Sequence, residues 1–349
     1  MVPALAIAGA LRASGAHVEF LGGERAEGEL VPAAGYPLHT LPLAGIDRRN
    51  PLRAARAIAL AGAATPRARR LLARLGTDVV VGGGGYAAGP VGLAARSLRL
   101  GLVLCEADSH LGLANRMLAP VADRVCLAFA LPGRAPPKFV VTGRAVPQGT
   151  ANPDRARARA RFGIGRDETC LLVFGGSLGA RSLNEAAVAA FRREAPCTVL
   201  HTCGRRDFEW LSGLLAEAGS PPHYHLHAYV EPFADALGAA DLAVARAGGS
   251  VFELAAAGVP SLLVPYPHAT SNHQAGNARW MVAGGAAVVL PDAELRPQRL
   301  TDEVAALVGD RERRLEMRQA ALRLARPDAA EDIAAEVLTL AARRAAASA

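Results

Sequence analysis

Short apolar runs alternate with helical segments along the whole chain. The predicted strands are Val18–Leu21, Asp78–Val81, Leu102–Cys105, Arg124–Leu127, Phe139–Val141, Cys170–Phe174, Thr198–Thr202, Asp241–Ala245, Ser261–Pro265 and Ala286–Leu290. Strands that alternate with helices indicate parallel sheets joined by crossover helices. We therefore predict an α/β fold with two doubly wound domains and a cleft between them.

Three stretches have the apolar spacing of helices. They are Met1–Ala16, Pro51–Leu75 and Thr301–Ala349, and Pro327 is predicted to divide the last into two helices. Met1–Ala16 lacks the basic start of a signal peptide, and Arg12 interrupts its apolar run, so a helix packed on a sheet is favoured. No run of about 18 uncharged apolar residues occurs, so no membrane-spanning helix is predicted.

The length of 349 residues suits two domains of ordinary size. A linker is predicted in Arg144–Asp154, which is rich in proline, glycine and threonine. We expect an N-terminal domain over 1–147, a C-terminal domain over 148–326 and a terminal helix over 327–349.

The net charge of +7 rests almost wholly on arginine, because Lys138 is the only lysine. This charge favours anionic partners, either phosphorylated substrates or an acidic membrane surface. Nucleic acid is not an expected partner, since aromatic residues are few and the arginines are spread along helices. The five cysteines form no C-x-x-C pair, which favours a reducing cytoplasm.

One group near the N-terminus has two interpretations, a basic membrane-facing surface or scattered solvated side chains. The group comprises Arg12, Arg25, Leu41, Leu43, Ile46, Arg48 and Arg49.

The most informative stretch, 246–277, combines a glycine turn, a short helix, a buried strand and a polar loop. Gly248 and Gly249 allow a sharp turn that brings backbone N–H groups close to a ligand. Ser250 and Glu253 then open a helix whose N-terminus favours an anion. The alternative is a capping box, in which Glu253 serves only its own helix. The polar loop that follows favours half of a nucleotide-diphosphate site.

Three glycine loops each follow an apolar strand and precede a helix, the context in which such loops bind phosphate. They are Gly82–Gly89, Gly175–Asn184 and the turn at Gly248. None is a Walker P-loop, because the Gly-Lys pair is absent, and the fingerprint of a nicotinamide site is absent too. No metal motif stands out, so we predict neither a cofactor nor a metal.

Four runs resemble the bacterial MurG-type N-acetylglucosaminyltransferases, and the resemblance spans nearly the whole chain. The runs are G-G-Y-A-A-G-P at 84–90, G-G-S-L-G-A-R-S-L-N at 175–184, R-A-G-G-S-V-F-E-L-A-A-A-G at 246–258 and P-Y-P-H-A-T-S-N-H-Q-A-G-N-A at 265–278. The resemblance implies a GT-B fold whose terminal helix crosses back to the N-terminal domain. It implies inverting transfer of N-acetylglucosamine (GlcNAc) from UDP-GlcNAc to the undecaprenyl-diphosphate-linked MurNAc-pentapeptide, at the cytoplasmic face of the cell membrane, in peptidoglycan synthesis.

The resemblance also implies a set of donor-binding residues. These are Gly175, Gly176, Ser177, Gly179, Arg246, Gly248, Gly249, Ser250, Glu253, His273, Gln274 and Asn277. The glycine loop would face the donor diphosphate, and the turn at 246–250 would lie over the nucleotide. Glu253 would hold the ribose hydroxyls and Gln274 the GlcNAc hydroxyls. A carboxylate accepts from two hydroxyls and an amide both donates and accepts, so the residue types suit these roles.

The acceptor loop of the family, H-E-Q-N-x-x-x-G-x-x-N, is matched by C-E-A-D-S-H-L-G-L-A-N at 105–115. Inverting displacement needs one base to take the acceptor's proton, and the catalytic candidates are Glu106, Asp108 and Asn115. Asp108 stands where the family usually has asparagine, and a plain surface residue is an equal alternative. The further acceptor-side candidates are Gly84, Gly85, Tyr86, Gly89 and Arg144, the last in G-R-A-V-P where the family has G-N-P-V-R.

The family's first glycine loop, G-G-T-x-G-H, and the strand before it have no counterpart ahead of Met1. We expect a start codon placed too late, and poor turnover by the chain as given. An in-frame upstream strand ending in G-G-x-x-G-H would show this.

Histidines in two strands are weaker candidates. His223, His225 and His227 share one strand face, for which a solvated surface is favoured over a metal site, because no acidic or cysteine ligand complements them. His201 and Gly204 match the family's H-x-x-G motif at the cleft edge.

Two other functions stay open. Another UDP-sugar GT-B enzyme, such as a glycolipid transferase or a 2-epimerase, would share the donor half and differ at 105–115. The other alternative is a UDP-sugar-binding protein with little turnover.

Overall fold

The structure of the protein, a computed structural model, describes residues 1–24, 26–43, 51–176, 179–269 and 272–348. The chain divides into two compact units. Unit 1 comprises Met1–Pro147 with Arg326–Ala349, and unit 2 comprises Gln148–Ala325. Every strand pairing within these described ranges is parallel, which confirms the predicted α/β class.

Unit 1 alternates helices and strands. In chain order its elements are α1 (Val2–Ala13), β1 (Phe20–Gly22), α2 (Ala26–Ala33), β2 (Leu38–Thr40), α3 (Pro51–Arg74), β3 (Val79–Gly82), α4 (Gly85–Ser97), β4 (Gly101–Glu106), α5 (Leu113–Leu118), β5 (Arg124–Leu127), β6 (Phe139–Val141) and the C-terminal helix. That last helix, Ala329–Ser348, is named α14 below.

The strands of unit 1 form two sheets within the described ranges, β1-β2 and β3-β4-β5-β6. Leu102 and Leu104 on one face of β4 pack with residues of α4 and α5, whereas Val103 on the other face packs with α1 and α14. Because successive strand residues point to opposite faces, helices on both sides bury every residue of the strand except half-buried Cys105, as its continuous apolar run predicts. The terminal helix is also held to β5 by an ion pair of 2.9 Å between Arg124 and Glu336.

Unit 2 repeats the alternation. Its elements are α6 (Arg155–Arg161), β7 (Cys170–Phe174), α7 (Arg181–Phe191), β8 (Thr198–Thr202), α8 (Arg205–Glu217), β9 (Tyr224–His227), α9 (Phe233–Ala239), β10 (Leu242–Ala245), α10 (Ser250–Ala257), β11 (Ser261–Leu263), α11 (His273–Ala283), β12 (Ala287–Val289), α12 (Pro297–Gly309) and α13 (Arg311–Leu324).

The described part of unit 2 forms one six-stranded sheet in the order β12-β11-β10-β7-β8-β9. The chain leaves β7 toward β8 on one side and later returns to β10 on the other side. The order therefore reverses beside β7, and ligands of such sheets bind at the carboxyl ends of the strands at this switch point. The glycine loop after β7 and the glycine turn after β10 both lie at this edge.

The prediction that the tail after 301 forms two helices is wrong, because α12 and α13 are separate. Helix α12 ends at Gly309, and Asp310 caps α13 by accepting the backbone N–H of Arg313 at 2.9 Å. Pro327 lies in the break before α14, as predicted. Strand β2 and the helices α2, α5 and α6 were not predicted from the sequence.

Candidate functional site

The loop between β7 and α7 is tightly packed against the chain itself. A side chain at Gly175 would overlap Ala180, and one at Gly179 would overlap the carbonyl oxygen of Cys203. Gly176 and Gly179 have φ of 90° and 72°, in the left-handed region that glycine tolerates best. These glycines are therefore required by the fold whether or not a phosphate binds, and Ser177 lies outside the described residues.

Helix α10 begins without a side-chain cap. Its N-cap residue is Gly249, and the Ser250 hydroxyl turns back toward the carbonyl oxygen of Arg246 at 3.4 Å. A capping box needs serine at the N-cap and glutamate three residues later, so that interpretation of Ser250 and Glu253 is wrong. Gly258 ends the helix with φ of 65°, as expected.

The structure places the guanidinium of Arg246 in contacts within the protein. It donates to the carbonyl oxygen of Val264 at 3.0 Å and to the hydroxyl of Ser182 at 2.6 Å, and it pairs with Asp292 at 2.5 Å. The residue is 5% exposed. Arg246 thus joins the end of β10 to the first turn of α7. These contacts were not predictable from the sequence, because Ser182 and Asp292 are distant from Arg246 along the chain.

Helix α11 is fastened to the glycine turn after β10. The Asn277 amide donates to the carbonyl oxygens of Ala247 at 3.0 Å and Gly248 at 3.4 Å. The side-chain oxygen of Gln274 accepts the backbone N–H of Tyr266 at 2.9 Å. His273 is the first residue of α11 and is half-buried. The structure thus brings 248, 274 and 277 together.

The acceptor-side candidates of unit 1 cluster around one carboxylate. Glu106, 7% exposed, accepts the backbone N–H of Asp108 at 3.1 Å and of Gly112 at 2.7 Å, together with the Asn115 amide at 3.0 Å. Asn115 also donates to the carbonyl oxygen of Cys105 at 3.0 Å. Glu106 and Asn115 therefore fix the 107–112 loop, and Asp108 lies on that loop partly exposed.

The glycine turn between β3 and α4 approaches the same cluster. A side chain at Gly84, where φ is 78°, would lie 3.5 Å from the Asn115 amide. Gly85 begins α4, and Gly89 lies inside that helix. The Tyr86 hydroxyl donates to the carboxylate of Glu27 at 3.0 Å.

Arg144 is half-buried and lies near the amino group of Met1. Burial, and the positive charge of Arg144, lower the pKa of that amine.

His201 of β8 is fully buried in unit 2. It contacts the Tyr224 hydroxyl at 2.8 Å and the Asn184 side-chain oxygen at 3.1 Å. Burial lowers the pKa of His201 to about 3, so the imidazole is neutral at physiological pH. The sequence pointed to His201 but missed Asn184, Tyr224 and Asp207, which complete its surroundings.

We expect the buried imidazole to make folding sensitive to acid. An unfolded histidine gains a proton below pH about 6.5, whereas folded His201 resists until about pH 3, so stability is complete above 6.5 and falls as the pH drops toward 3. Between pH 7.5 and 5, His201→Gln should lose about 2 kcal/mol less unfolding free energy than the wild type. Urea unfolding of both proteins at the two pH values checks this, and equal losses would contradict it.

Two other sequence interpretations have structural outcomes. The Nε2–H of His223 donates to the carbonyl oxygen of Phe191 at 2.9 Å, and the ring of His227 packs edge-on against that of Phe162. Across the described residues, no group of three or more His, Cys, Asp or Glu side chains is placed to hold a metal ion.

The proposed membrane group near the N-terminus is partly wrong, because Leu41 is 7% exposed and belongs to the core of unit 1. Leu43 packs against the same core, and Arg12 lies over the ring of Tyr36 at 4.4 Å. Arg25, Ile46, Arg48 and Arg49 fall outside the described residues.

Comparison with known proteins gives concordant matches over both units. Residues 1–127 match the glycosyltransferase family 28 N-terminal domain, and residues 170–333 match the glycosyltransferase family 28 C-terminal domain. The chain is 40% identical over 340 residues to the UDP-N-acetylglucosamine--N-acetylmuramyl-(pentapeptide) pyrophosphoryl-undecaprenol N-acetylglucosamine transferase of Methylococcus capsulatus, covering 95% of this chain and 93% of that protein. It is 40% identical over 348 residues to the protein of the same name from Nitrosococcus oceani, covering 97% and 95%. The crystal structure of Acinetobacter baumannii MurG matches with a TM-score of 0.75 at 31% identity, covering 97% and 95%.

Proposed function

The chain belongs to glycosyltransferase family 28, and we propose that it transfers GlcNAc from UDP-GlcNAc to the undecaprenyl-diphosphate-linked MurNAc-pentapeptide. The observation that carries the proposal is 40% identity, over 95% of the chain, to a transferase named for this reaction. The predicted GT-B fold is confirmed by the match to the MurG crystal structure. We assign donor binding to unit 2 and acceptor binding to unit 1.

The donor would bind at the carboxyl ends of β7 and β10. Its diphosphate needs positive charge, which in unit 2 comes from arginines or from helix N-termini, because the unit contains no lysine. The lysine of unit 1, Lys138, donates to the carbonyl oxygens of Ala119 and Pro120 at 3.0 and 2.8 Å. The N-termini of α7 and α10, which begin directly after glycine turns, supply backbone N–H groups and partial positive charge instead.

Sugar recognition would come from the first turns of α10 and α11. Glu253 lies in the first turn of α10 and would accept from the ribose hydroxyls. The side-chain oxygen of Gln274 accepts the Tyr266 N–H, so its amide nitrogen faces the glycine turn. That nitrogen lies 4.0 Å from where the Cβ of a side chain at Gly248 would be. That amide would donate to the GlcNAc hydroxyls.

The base for the acceptor would be Asp108. Both carboxylate oxygens of Glu106 already accept hydrogen bonds from its own loop, whereas Asp108 is partly exposed on that loop. In the reaction the acceptor oxygen bonds to the anomeric carbon as the bond to UDP breaks, and Asp108 takes the acceptor's proton. Asp108→Asn should therefore lower kcat about 100-fold while the KM of both substrates changes little. An unchanged kcat would exclude Asp108 as the base.

UDP release tests the proposed reaction. The purified chain is incubated with UDP-GlcNAc, with and without a short-chain polyprenyl-diphosphate-MurNAc-pentapeptide. We expect UDP release only when the acceptor is present. Conversion of UDP-GlcNAc to its 2-epimer would favour an epimerase, and donor binding without UDP release would favour a binding protein.

We also propose peripheral attachment to the anionic cytoplasmic face of the membrane. None of the helices that the structure describes is long and apolar enough to cross a bilayer. Large apolar side chains are nevertheless exposed on α4 and just around α5, namely Leu93 at 52%, Met117 at 68% and Val121 at 42%. These helices pack directly, since a side chain at Gly92 would overlap Leu118. Exposed Arg116 adds positive charge beside the apolar residues.

Replacing both Leu93 and Met117 by serine should weaken binding to anionic vesicles by roughly tenfold or more, because partial burial of two large apolar side chains contributes at least about 1.4 kcal/mol. Vesicle co-sedimentation measures this. Leu315→Ser is the matched control, since Leu315 is 49% exposed on α13 of unit 2. An equal loss in the control would show that the apolar residues of α4 and α5 have no special role.

A further inference from the structure

A chain of buried polar side chains links β8, α7, α8 and β9 in unit 2. Its members are Tyr224, His201, Asn184 and Asp207, with exposures of 7%, 0%, 0% and 2%. Tyr224 contacts His201 at 2.8 Å, and His201 contacts the Asn184 oxygen at 3.1 Å. The Asn184 amide donates to Asp207 at 3.0 Å and to the carbonyl oxygen of Cys203 at 2.8 Å.

Asn184 fixes the direction of each hydrogen bond among these four side chains. Its amide nitrogen faces a carboxylate and a carbonyl, which only accept, so its oxygen must face His201. His201 therefore donates from Nε2, and its Nδ1 accepts the hydroxyl hydrogen of Tyr224. The neutral imidazole required for this agrees with the depressed pKa of His201.

This series of buried hydrogen bonds ends at the glycine loop. Asn184 lies in the first turn of α7, where its backbone N–H bonds to the carbonyl oxygen of Ala180 at 2.9 Å. The carbonyl oxygen of Cys203, which accepts from Asn184, is also the atom against which Gly179 packs. A displacement of Asn184 would therefore displace Gly179 and the N-terminus of α7 together.

The same turn of α7 is held from its other side. Arg246, which follows β10, donates to the Ser182 hydroxyl at 2.6 Å. Strands β8 and β10 flank β7 in the sheet, so side chains from both neighbours hold the first turn of the helix that follows β7. Such a support fixes the backbone N–H groups of a loop without touching a ligand.

We propose that His201 and Asn184 are positioning residues that set the glycine loop for binding of the donor diphosphate. This inference rests on the proposed function of unit 2. Both side chains are fully buried, so they act through Gly179 and the first turn of α7. Small misplacements of groups that bind a reacting ligand reduce rates by up to about 100-fold.

The test compares two substitutions of His201 by UDP binding and by kinetics. His201→Leu removes the donor to Asn184, and we expect the Kd for UDP and the KM for UDP-GlcNAc to rise at least tenfold while the acceptor KM stays within twofold. His201→Gln retains an N–H donor at a similar distance and should stay within about threefold of the wild type. Leu307→Ala, on α12 in the same core and 1% exposed, is the control for general destabilisation and should leave both donor constants unchanged.

The inference is overturned if folded His201→Leu binds UDP like the wild type, or if Leu307→Ala raises the donor constants equally. If His201→Leu does not fold, Tyr224→Phe tests the inference in its place, because loss of the Tyr224 hydroxyl leaves the Nδ1 of His201 without its hydrogen-bond partner. It should raise the UDP Kd several-fold, and an unchanged Kd would overturn the inference. Wild-type protein that neither binds UDP nor transfers GlcNAc would instead refute the proposed function.

Discussion

Replacing Gly179 by alanine should lower kcat/KM for UDP-GlcNAc by more than about 1,000-fold and destabilise unit 2 by about 3 kcal/mol or more. The added methyl group would overlap the carbonyl oxygen of Cys203, which is backbone and lies at the end of a sheet strand. The φ of 72° at this position is also unfavourable for alanine. The loop can accept the methyl group only by moving away from β8, which removes the N-terminus of α7 from the donor diphosphate. Denaturant unfolding and steady-state kinetics measure the two effects.

Gly219→Ala is the matched control for this substitution. Gly219 has a similar φ of 86°, but no atom would contact its added side chain. Strain alone should destabilise that variant by about 1 kcal/mol, with normal kinetics. If Gly179→Ala behaved like Gly219→Ala in both measurements, the packing of the glycine loop would not support donor binding.

Replacing Glu106 by alanine should lower kcat/KM for the acceptor on the order of 1,000-fold and leave the Kd for UDP unchanged. The substitution removes the acceptor of three hydrogen bonds, from the N–H groups of Asp108 and Gly112 and from the Asn115 amide. A hydrogen bond to a charged group contributes about 1.5–3 kcal/mol, so their joint loss is enough to release the loop. Asp108 then loses the position from which it would take the acceptor's proton.

Asp123→Ala provides the control. Glu106 is the last residue of β4, whereas Asp123 lies just before β5 and contacts the start of β4. The Asp123 carboxylate accepts the backbone N–H of Leu102 at 2.9 Å, where β4 begins. This variant should be less stable than the wild type but should keep its acceptor KM. Equal acceptor defects in both variants would mean that Glu106 only stabilises unit 1.

Most buried strands were predictable from the sequence, because the apolar run that marks a buried strand lies within the strand itself. The continuous apolar runs of β7 and β10 indicated buried parallel strands, and both have every residue buried. The break between α12 and α13 was missed because the apolar spacing of a helix continues past Gly309. The start of α13 is marked by a single capping carboxylate, that of Asp310. Strand β2 was missed because its three residues, Leu38–Thr40, include no fully buried position.

The sequence predicted where the glycine turns lie but not how they are packed. Glycine turns after apolar strands predict a ligand site, since carboxyl ends of parallel strands meet at one edge, and that site stays a prediction. The partners of Arg246, which are Ser182 and Asp292, belong to elements that only the folded sheet brings together. Asn184 was visible as the end of a motif, but its bond to His201 depends on the register of β8 beside β7.

The product of the reaction tests the central claim most directly. The purified chain is incubated with UDP-GlcNAc and the polyprenyl-diphosphate-MurNAc-pentapeptide, and the lipid product is analysed by mass spectrometry and by NMR of its new glycosidic bond. Inverting transfer predicts one GlcNAc added to each acceptor in the β configuration, because the donor sugar is α-linked. An α-linked product, or an unmodified acceptor in the presence of bound UDP-GlcNAc, would contradict the account.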